Sequence, residues 1–401
     1  MSNKETVVLA FSGGLDTSYC ILALREQGFE VETVFVDTGG LSQDELQWIY
    51  DRAMQLGARN HHQLDASQAI WDEFVTPLVW SHARVLGEYP MLCSDRYLIV
   101  RLCLQLCDDL DTTHFAHGCT GMGNDQLRFD QTVRSTGDYV IHAPVRDLQK
   151  TTADIRDYEI AFLGKAGVKV AGKSGSYSIN ENLLGVTISG SEVDQFDVPG
   201  PDTRQICRPR NEWPDSALSV DITFKQGVAT RLNGKEFTGP QLLSALNAAF
   251  GEYGVGRHVY TGDVSIGLKG RIVFECPGID ALLTAHQALE DAVNTRLQNQ
   301  FRHQVAQRWA ELVYTGFFYE PHKKDLEAYL ASSQTAVSGT VKLVTDGGSV
   351  TAVAVDSPNI LQDESAVYAQ TCNWTPEEAE GFIKLLGQSS TIAAKIRGPS
   401  V

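Results

Sequence analysis

Thr6 to Phe11 (TVVLAF) is a continuous apolar run, the pattern of a strand buried on both faces. A glycine-rich turn follows, and then a helical pattern from about Thr17 to Gln27. Val31 to Thr38 is the next strand candidate, and a capping-box pattern at Ser42 and Glu45 opens a helix towards Leu56. The stretch Ser94 to Leu110 has helical spacing; Thr113 to Ala116 and Tyr139 to Ala143 are further strand candidates, and Asp154 to Gly164 is another helix. Apolar strands alternating with helices predict an α/β domain, a parallel sheet covered on both sides.

The texture changes near Val170. Leu218 to Phe224 and Val228 to Leu232 are strand-like, and Asn233-Gly234 is a turn signal. A helical pattern covers Gln241 to Phe250, a strand-like region Asp263 to Glu275, and long helical patterns Ala281 to Val313. Val341 to Val344 and Val350 to Val355 flank TDGGS, a hairpin signal, and Pro376 to Leu386 is a last helix. The expected organisation is a nucleotide-binding domain over 1–170, an α+β domain over 171–360 and a helical tail over 361–401 that packs on something else. With 401 residues and roughly 150 per domain, that division is of ordinary size.

Composition narrows the partners. Lys and Arg total 33 against 50 Asp and Glu, a net charge of −17, which argues against nucleic acid and anionic membrane as partners. The eight cysteines are dispersed without a CxxC, and the ten histidines lack metal-ligand spacing, so no metal ligand is assigned. The apolar run near Met1 is too short for a signal peptide, and no stretch approaches the roughly 18 apolar residues of a membrane span. A cytoplasmic protein is expected.

The chemistry is concentrated in two glycine loops. AFSGGLDTS, Ala10 to Ser18, follows the first strand and opens a helix. Its glycines admit a ligand close to the backbone, Ser12, Thr17 and Ser18 offer hydroxyls, and the helix start offers N–H groups with the positive end of the dipole. That is an anion site needing no lysine. GVKVAGKS, Gly167 to Ser174, satisfies the spacing of a P-loop, but it follows a helix and contains its own strand-like VKVA, so the match is taken as chance. The second loop, HGCTGMGNDQLRFD from His117 to Asp130, also follows a strand. Gly118, Gly121 and Gly123 let backbone approach a ligand; Thr120, Asn124 and Asp125 supply a hydroxyl, an amide and a carboxylate; Arg128 can grip a carboxylate in a fork. His117 is either a nucleotide contact or a structural histidine, and Asp108 to Asp111 is a solvated helix end.

These segments resemble the argininosuccinate synthase family of the N-type ATP pyrophosphatase (PP-loop) group. The family opens with AFSGGLDTS, and its second loop is similar to HGxTGKGNDQxRFE; APVRD (Ala143 to Asp147), YSINENLLGVT (Tyr177 to Thr187) and LVYTGFF (Leu312 to Phe318) are similar too, in order along nearly the whole chain. The resemblance implies adenylation of citrulline's ureido oxygen by ATP, with release of pyrophosphate, and displacement of AMP by aspartate. It implies an ATP site at Ala10, Phe11, Ser12, Gly13, Gly14, Leu15, Asp16, Thr17 and Ser18, with Val36 beneath the base and Gly118 beside the nucleotide. Aspartate would meet Thr120, Asn124 and Asp125; citrulline would meet Tyr89, Ser94, Asn124, Arg128, Ser178 and Thr187. Mg²⁺ would travel with the triphosphate, no organic cofactor is implied, no catalytic side chain is assigned, and a homotetramer is implied with the Pro376 to Leu386 helix reaching a neighbour.

The chain departs from the family pattern at four positions. Met122 replaces a lysine, and Thr187 a serine. Gly262 and Phe274 stand where the family has a citrulline-binding glutamate and tyrosine. Asp263 is adjacent but points to the other face of a strand. A divergent way of holding the α-amino group accounts for this; an N-acylated citrulline, whose neutral amide needs no carboxylate, is the alternative. Another adenylating PP-loop ligase and a non-catalytic nucleotide sensor complete the range.

Overall fold

The computed structural model describes residues 4–152, 154–168, 177–363, 365–368 and 370–398. The P-loop-like match and the expected boundary near Val170 fall largely outside them.

Five strands, β1 (Thr6–Ala10), β2 (Glu30–Asp37), β3 (Asn60–Asp65), β4 (His114–Ala116) and β5 (Val140–His142), form a parallel sheet in the order β3-β2-β1-β4-β5. The central place of β1 explains its unbroken apolar run. Val7 and Leu9 point to one side, into a core with Cys20, Ile21 and Leu24 of the helix Leu15–Glu26. Val8 and Ala10 point to the other, against Val100, Cys103 and Leu104 of the helix Asp95–Asp109. Two cores from one strand follow from its period of two. The capping box at Ser42 and Glu45 forms as expected and starts the helix Gln43–Gln55.

Among the described residues nine antiparallel strands follow: β6 (Ser178–Asn182), β7 (Gly185–Ser189), β8 (Leu218–Lys225), β9 (Val228–Leu232), β10 (Lys235–Glu236), β11 (Arg257–Asp263), β12 (Lys269–Glu275), β13 (Gly339–Thr345) and β14 (Thr351–Asp356). They make a five-stranded sheet, β10-β9-β8-β13-β14, and a four-stranded sheet, β11-β12-β7-β6. The strand-like region expected from Asp263 to Glu275 is the second arm of a hairpin whose first arm, β11, is rich in polar residues and gave no apolar signal. The long helical pattern divides into Pro277–Val293 and Arg296–Tyr314, with Thr295 and Gln298 capping the second. The largest core is not confined to this half. Phe74, Leu78 and Tyr97 pack with Trp309, Leu282 and Phe224, and Phe74 stacks on Trp309 at 5.7 Å.

The chain divides into a unit ending at Asn359 and a unit from Ile360 to Val401. The second holds the expected helix Pro376–Leu386 and a further one, Gln388–Arg397; neither has a buried residue.

Candidate active site at the switch point of the parallel sheet

Strand order reverses on either side of β1, so the crevice outside its carboxyl end and that of β4 is the place where open α/β sheets bind ligands. Both glycine loops lie there. After β1 the chain turns through Ser12, Gly13 and Gly14 into the helix Leu15–Glu26. Gly13 takes φ +78°, and a Cβ there would stand 2.8 Å from Cζ3 of Trp48. The loop is laced by its own hydroxyls: the Ser12 and Thr17 hydroxyls are 3.3 Å apart, Gly14 N–H donates to Ser12 Oγ at 3.4 Å, and Ser18 Oγ donates to the Gly13 carbonyl at 3.4 Å. Ser18 is buried and also receives Arg52 Nε at 3.3 Å, so it fixes the loop, whereas Ser12 and Gly14 are exposed. Val36 is buried in β2, whose Val34 carbonyl accepts from Phe11 N–H at 2.8 Å.

The second loop meets the first directly. A Cβ on Gly118 would lie 3.1 Å from Thr17 Cγ2 and 3.3 Å from Thr17 N. His117 is a structural residue: it is buried, its Nε2 bonds Asp130 at 3.0 Å, and its Nδ1 accepts from Cys119 N–H at 3.1 Å. Thr120 Oγ1 receives Met122 N–H at 3.4 Å, and Met122 is exposed. The loop is shorter than the sequence motif, because Asp125–Thr136 is helix and Arg128 sits in its first turn.

Arg128 is buried, with an ion pair to Asp125 at 2.9 Å, a bond to the Tyr314 carbonyl at 3.1 Å, and its guanidinium over the Tyr314 ring at 5.1 Å. Its Nε has no partner among the described residues. Arg96, which the sequence did not single out, joins the group: it pairs with Asp95 at 2.7 Å and Asp125 at 3.3 Å, and donates to Asn180 Oδ1 at 2.8 Å. Burial pushes the Asp125 carboxyl up, but Arg96 and then Arg128 outweigh it and hold it below the usual carboxylate range. Asn124 is committed, donating to the Tyr314 hydroxyl at 3.0 Å and accepting from Ser265 N–H at 2.8 Å.

Beside Arg128 lies an aromatic pocket. Tyr89 is buried, stacks on Tyr260 at 5.4 Å, meets Phe274 edge-on at 5.2 Å, and lies beside Thr187. Burial raises the phenols of Tyr89, Tyr260 and Tyr314, Tyr260 to about 12, so all are neutral hydrogen-bonding groups near pH 7. Ser94 is buried and spends its hydroxyl on the Met91 carbonyl at 2.8 Å. Ser178 is exposed on β6, two residues from Asn180, which pairs in register with Thr187. The place of a side chain at Gly262 is filled: its Cβ would fall 2.0 Å from the Tyr260 hydroxyl, which is itself buried without a partner. Asp263 does not substitute for a carboxylate there, because it pairs with Lys269 at 2.6 Å.

Glu159, which the sequence does not single out, is buried beside Asp16 of the first loop. Its carboxyl is raised to about 8, first by burial and then by Asp16. The folded chain therefore holds a proton that the unfolded chain has released above about 4.5, and stability contributed by Glu159 is lost as pH rises towards about 8. Thermal unfolding across that window should show the wild type losing Tm relative to Glu159→Gln, and parallel curves would contradict the shared proton.

A sheet of this order, with polar glycine loops after two strands at its switch point, defines a nucleotide-binding α/β domain of the PP-loop type. The family model for the argininosuccinate synthase N-terminal HUP domain matches residues 6–169, and that for the C-terminal domain matches 177–393. The chain is 55% identical over 396 residues to the argininosuccinate synthase of Xylella fastidiosa, covering 99% of this chain and 98% of the relative. It is 54% identical to that of Xanthomonas campestris over 99% of this chain and the whole of the relative, and 35% identical to that of Methanocaldococcus jannaschii over 96% of each. The chain belongs to the argininosuccinate synthase family.

Proposed function

We propose that this chain is an ATP-dependent ligase of arginine biosynthesis, joining citrulline to aspartate through a citrullyl-adenylate and releasing AMP and pyrophosphate. The observation that carries this reading is the packing of Gly118 on Thr17, which unites the two glycine loops in one crevice with Arg128 and its aromatic pocket alongside. The triphosphate, with its Mg²⁺, lies over the loop Ala10 to Ser18, and its charge meets backbone N–H groups and the dipole of the helix from Leu15. The ureido oxygen attacks the α-phosphorus and pyrophosphate departs; the neutral amine of aspartate then attacks the activated carbon and AMP departs. Neither step needs a protein nucleophile, so positioning and stabilisation of developing phosphate charge supply the rate. Thr120, Asn124 and Asp125 serve aspartate, and Tyr89, Ser94, Asn124, Arg128, Ser178 and Thr187 serve citrulline. Bonds that Asn124 now makes to Tyr314 and Ser265 are shared or exchanged when substrate enters.

The missing carboxylate at Gly262 has a steric reason, since the Tyr260 phenol occupies its place. Free citrulline, the substrate that membership of the family implies, is the reading adopted here. The wild type should show a kcat/KM for citrulline far above that for acetylcitrulline. Gly262→Glu should lower it by about tenfold or more by displacing Tyr260 from its stack on Tyr89; a marked preference for acetylcitrulline would overturn the assignment.

We divide the chain into a nucleotide-binding domain (1–170), a synthetase domain (171–360) and a tail (361–401); the first boundary lies between the two family matches, 6–169 and 177–393, and the second lies within the C-terminal match. A cytoplasmic homotetramer using no organic cofactor completes the proposal. Support for assembly is the tail helix itself, which exposes Phe382, Ile383, Leu385 and Leu386. Gel filtration of a chain ending at Ser357 should show a smaller assembly than the full chain; an unchanged size would exclude the tail.

A further inference from the structure

A buried polar cluster that the proposed reaction does not use lies among the helices Thr76–Ser81, Pro277–Val293 and Arg296–Tyr314. His82 follows the first of these in a left-handed conformation, φ 54°. His286 and Glu290 lie one turn apart on the second, and both are buried, whereas the His82 side chain keeps 10% exposure. His82 Nε2 and His286 Nδ1 are 2.7 Å apart, and His82 Nε2 is 3.9 Å from Glu290 Oε2.

The surrounding amides fix where the imidazole protons are. Gln287 donates its amide hydrogens to Asp291 at 2.9 Å and accepts Arg302 on Oε1 at 3.2 Å, so Oε1 faces His82 Nδ1, 2.5 Å away, and Nδ1 must carry a hydrogen. Gln334 Nε2 donates to Glu290 Oε1 at 3.1 Å, so its Oε1 faces His286 Nε2 at 2.9 Å, and that nitrogen too must carry one. The remaining nitrogens then turn lone pairs on each other across 2.7 Å, beside Glu290 Oε2, which is ion-paired with Arg302 Nε at 2.8 Å. Two facing lone pairs at that distance repel unless a cation lies between them. A third proton would set an imidazolium close to the buried Arg302 guanidinium, which already contacts Gln287 and Glu290.

We propose that His82 Nε2, His286 Nδ1 and Glu290 Oε2 are the ligands of a divalent metal of the zinc class, at a site separate from the glycine loops. The donor set suits such an ion, and each ligating imidazole offers its other N–H to an amide oxygen, the arrangement that orients metal-bound histidine. Bond lengths of about 2.0–2.2 Å ask the two nitrogens to part by roughly half an ångström. The third ligand, Glu290, is shared with Arg302, whose Nε stands 2.8 Å from Oε2, so the affinity is moderate. The ion ties the end of one helix to the middle of another, 204 residues away.

Cobalt(II) titration of the EDTA-treated, nucleotide-free full chain tests this. One equivalent per chain should bind with visible d–d bands, zinc should bleach them and raise Tm, His82→Asn should abolish the bands, and Gln334→Leu should weaken binding by about 10- to 100-fold. Absence of such a species in the wild type, or bands that persist in His82→Asn, would overturn the site; the wild-type titration decides even if a variant fails to fold.

Discussion

Arg128→Leu should lower kcat/KM for citrulline by about a thousandfold, the largest effect expected of any single substitution in this chain. A guanidinium has five N–H donors, and Arg128 places one on Asp125 and one on the Tyr314 carbonyl. Its Nε is buried and has no partner among the described residues, and a substrate carboxylate entering beside the aromatic pocket is proposed to meet the hydrogens left over. Leucine retains the bulk and removes every donor. The stability cost should be smaller, about 1–3 kcal/mol, because Asp125 keeps its ion pair with Arg96. Activity and Tm measured together separate the two effects. Arg128→Lys should recover little, since a point charge cannot reproduce the fork; recovery to near wild type would show that charge alone matters there.

Gly13→Ala should raise the KM for ATP by about a hundredfold. Two costs combine. The backbone at φ +78° is unfavourable for alanine by about 1–2 kcal/mol, and the new methyl would lie 2.8 Å from Trp48 Cζ3 and 3.2 Å from Ile49 Cγ1. A loop that yields to either moves its N–H groups away from the phosphates. Trp48→Ala in the same chain relieves the contact but not the backbone strain, so it should restore part of the loss. Full restoration would mean that the left-handed turn itself is unimportant, and no loss in the single variant would remove the loop from the nucleotide site.

The parts of the fold legible in the sequence were those with a physical reason to repeat locally. β1 declared itself because both its faces are buried, and the Ser42 capping box because its two partners are three residues apart. β3, NHHQLD, was silent because it is an edge strand with no buried residue. The helix Gln388–Arg397 has no start signal in the sequence, because it begins directly after Gly387 with no capping side chain. The glycine loops were legible as motifs, but their convergence depends on strand order. Arg96, Glu159 and Tyr260 were invisible for the same reason: each acquires its role from groups far away in the chain, Arg96 from Asn180 at 84 residues. Gly262 looked like a missing ligand, and only the position of the Tyr260 hydroxyl reveals it as a filled space. The histidines had no spacing to notice, since His82 and His286 meet across 204 residues.

The net charge of −17 sits easily with anionic substrates because the site is locally neutral to positive: Arg128 and Arg96 flank Asp125, and the phosphate loop relies on backbone N–H groups. The most direct test of an adenylated intermediate is to supply citrulline labelled with ¹⁸O in the ureido group, together with ATP and aspartate, and to weigh the products. The label should appear in AMP, one atom for each argininosuccinate formed, with pyrophosphate as the other product. Unlabelled AMP, or ADP and phosphate in place of AMP and pyrophosphate, would contradict the account.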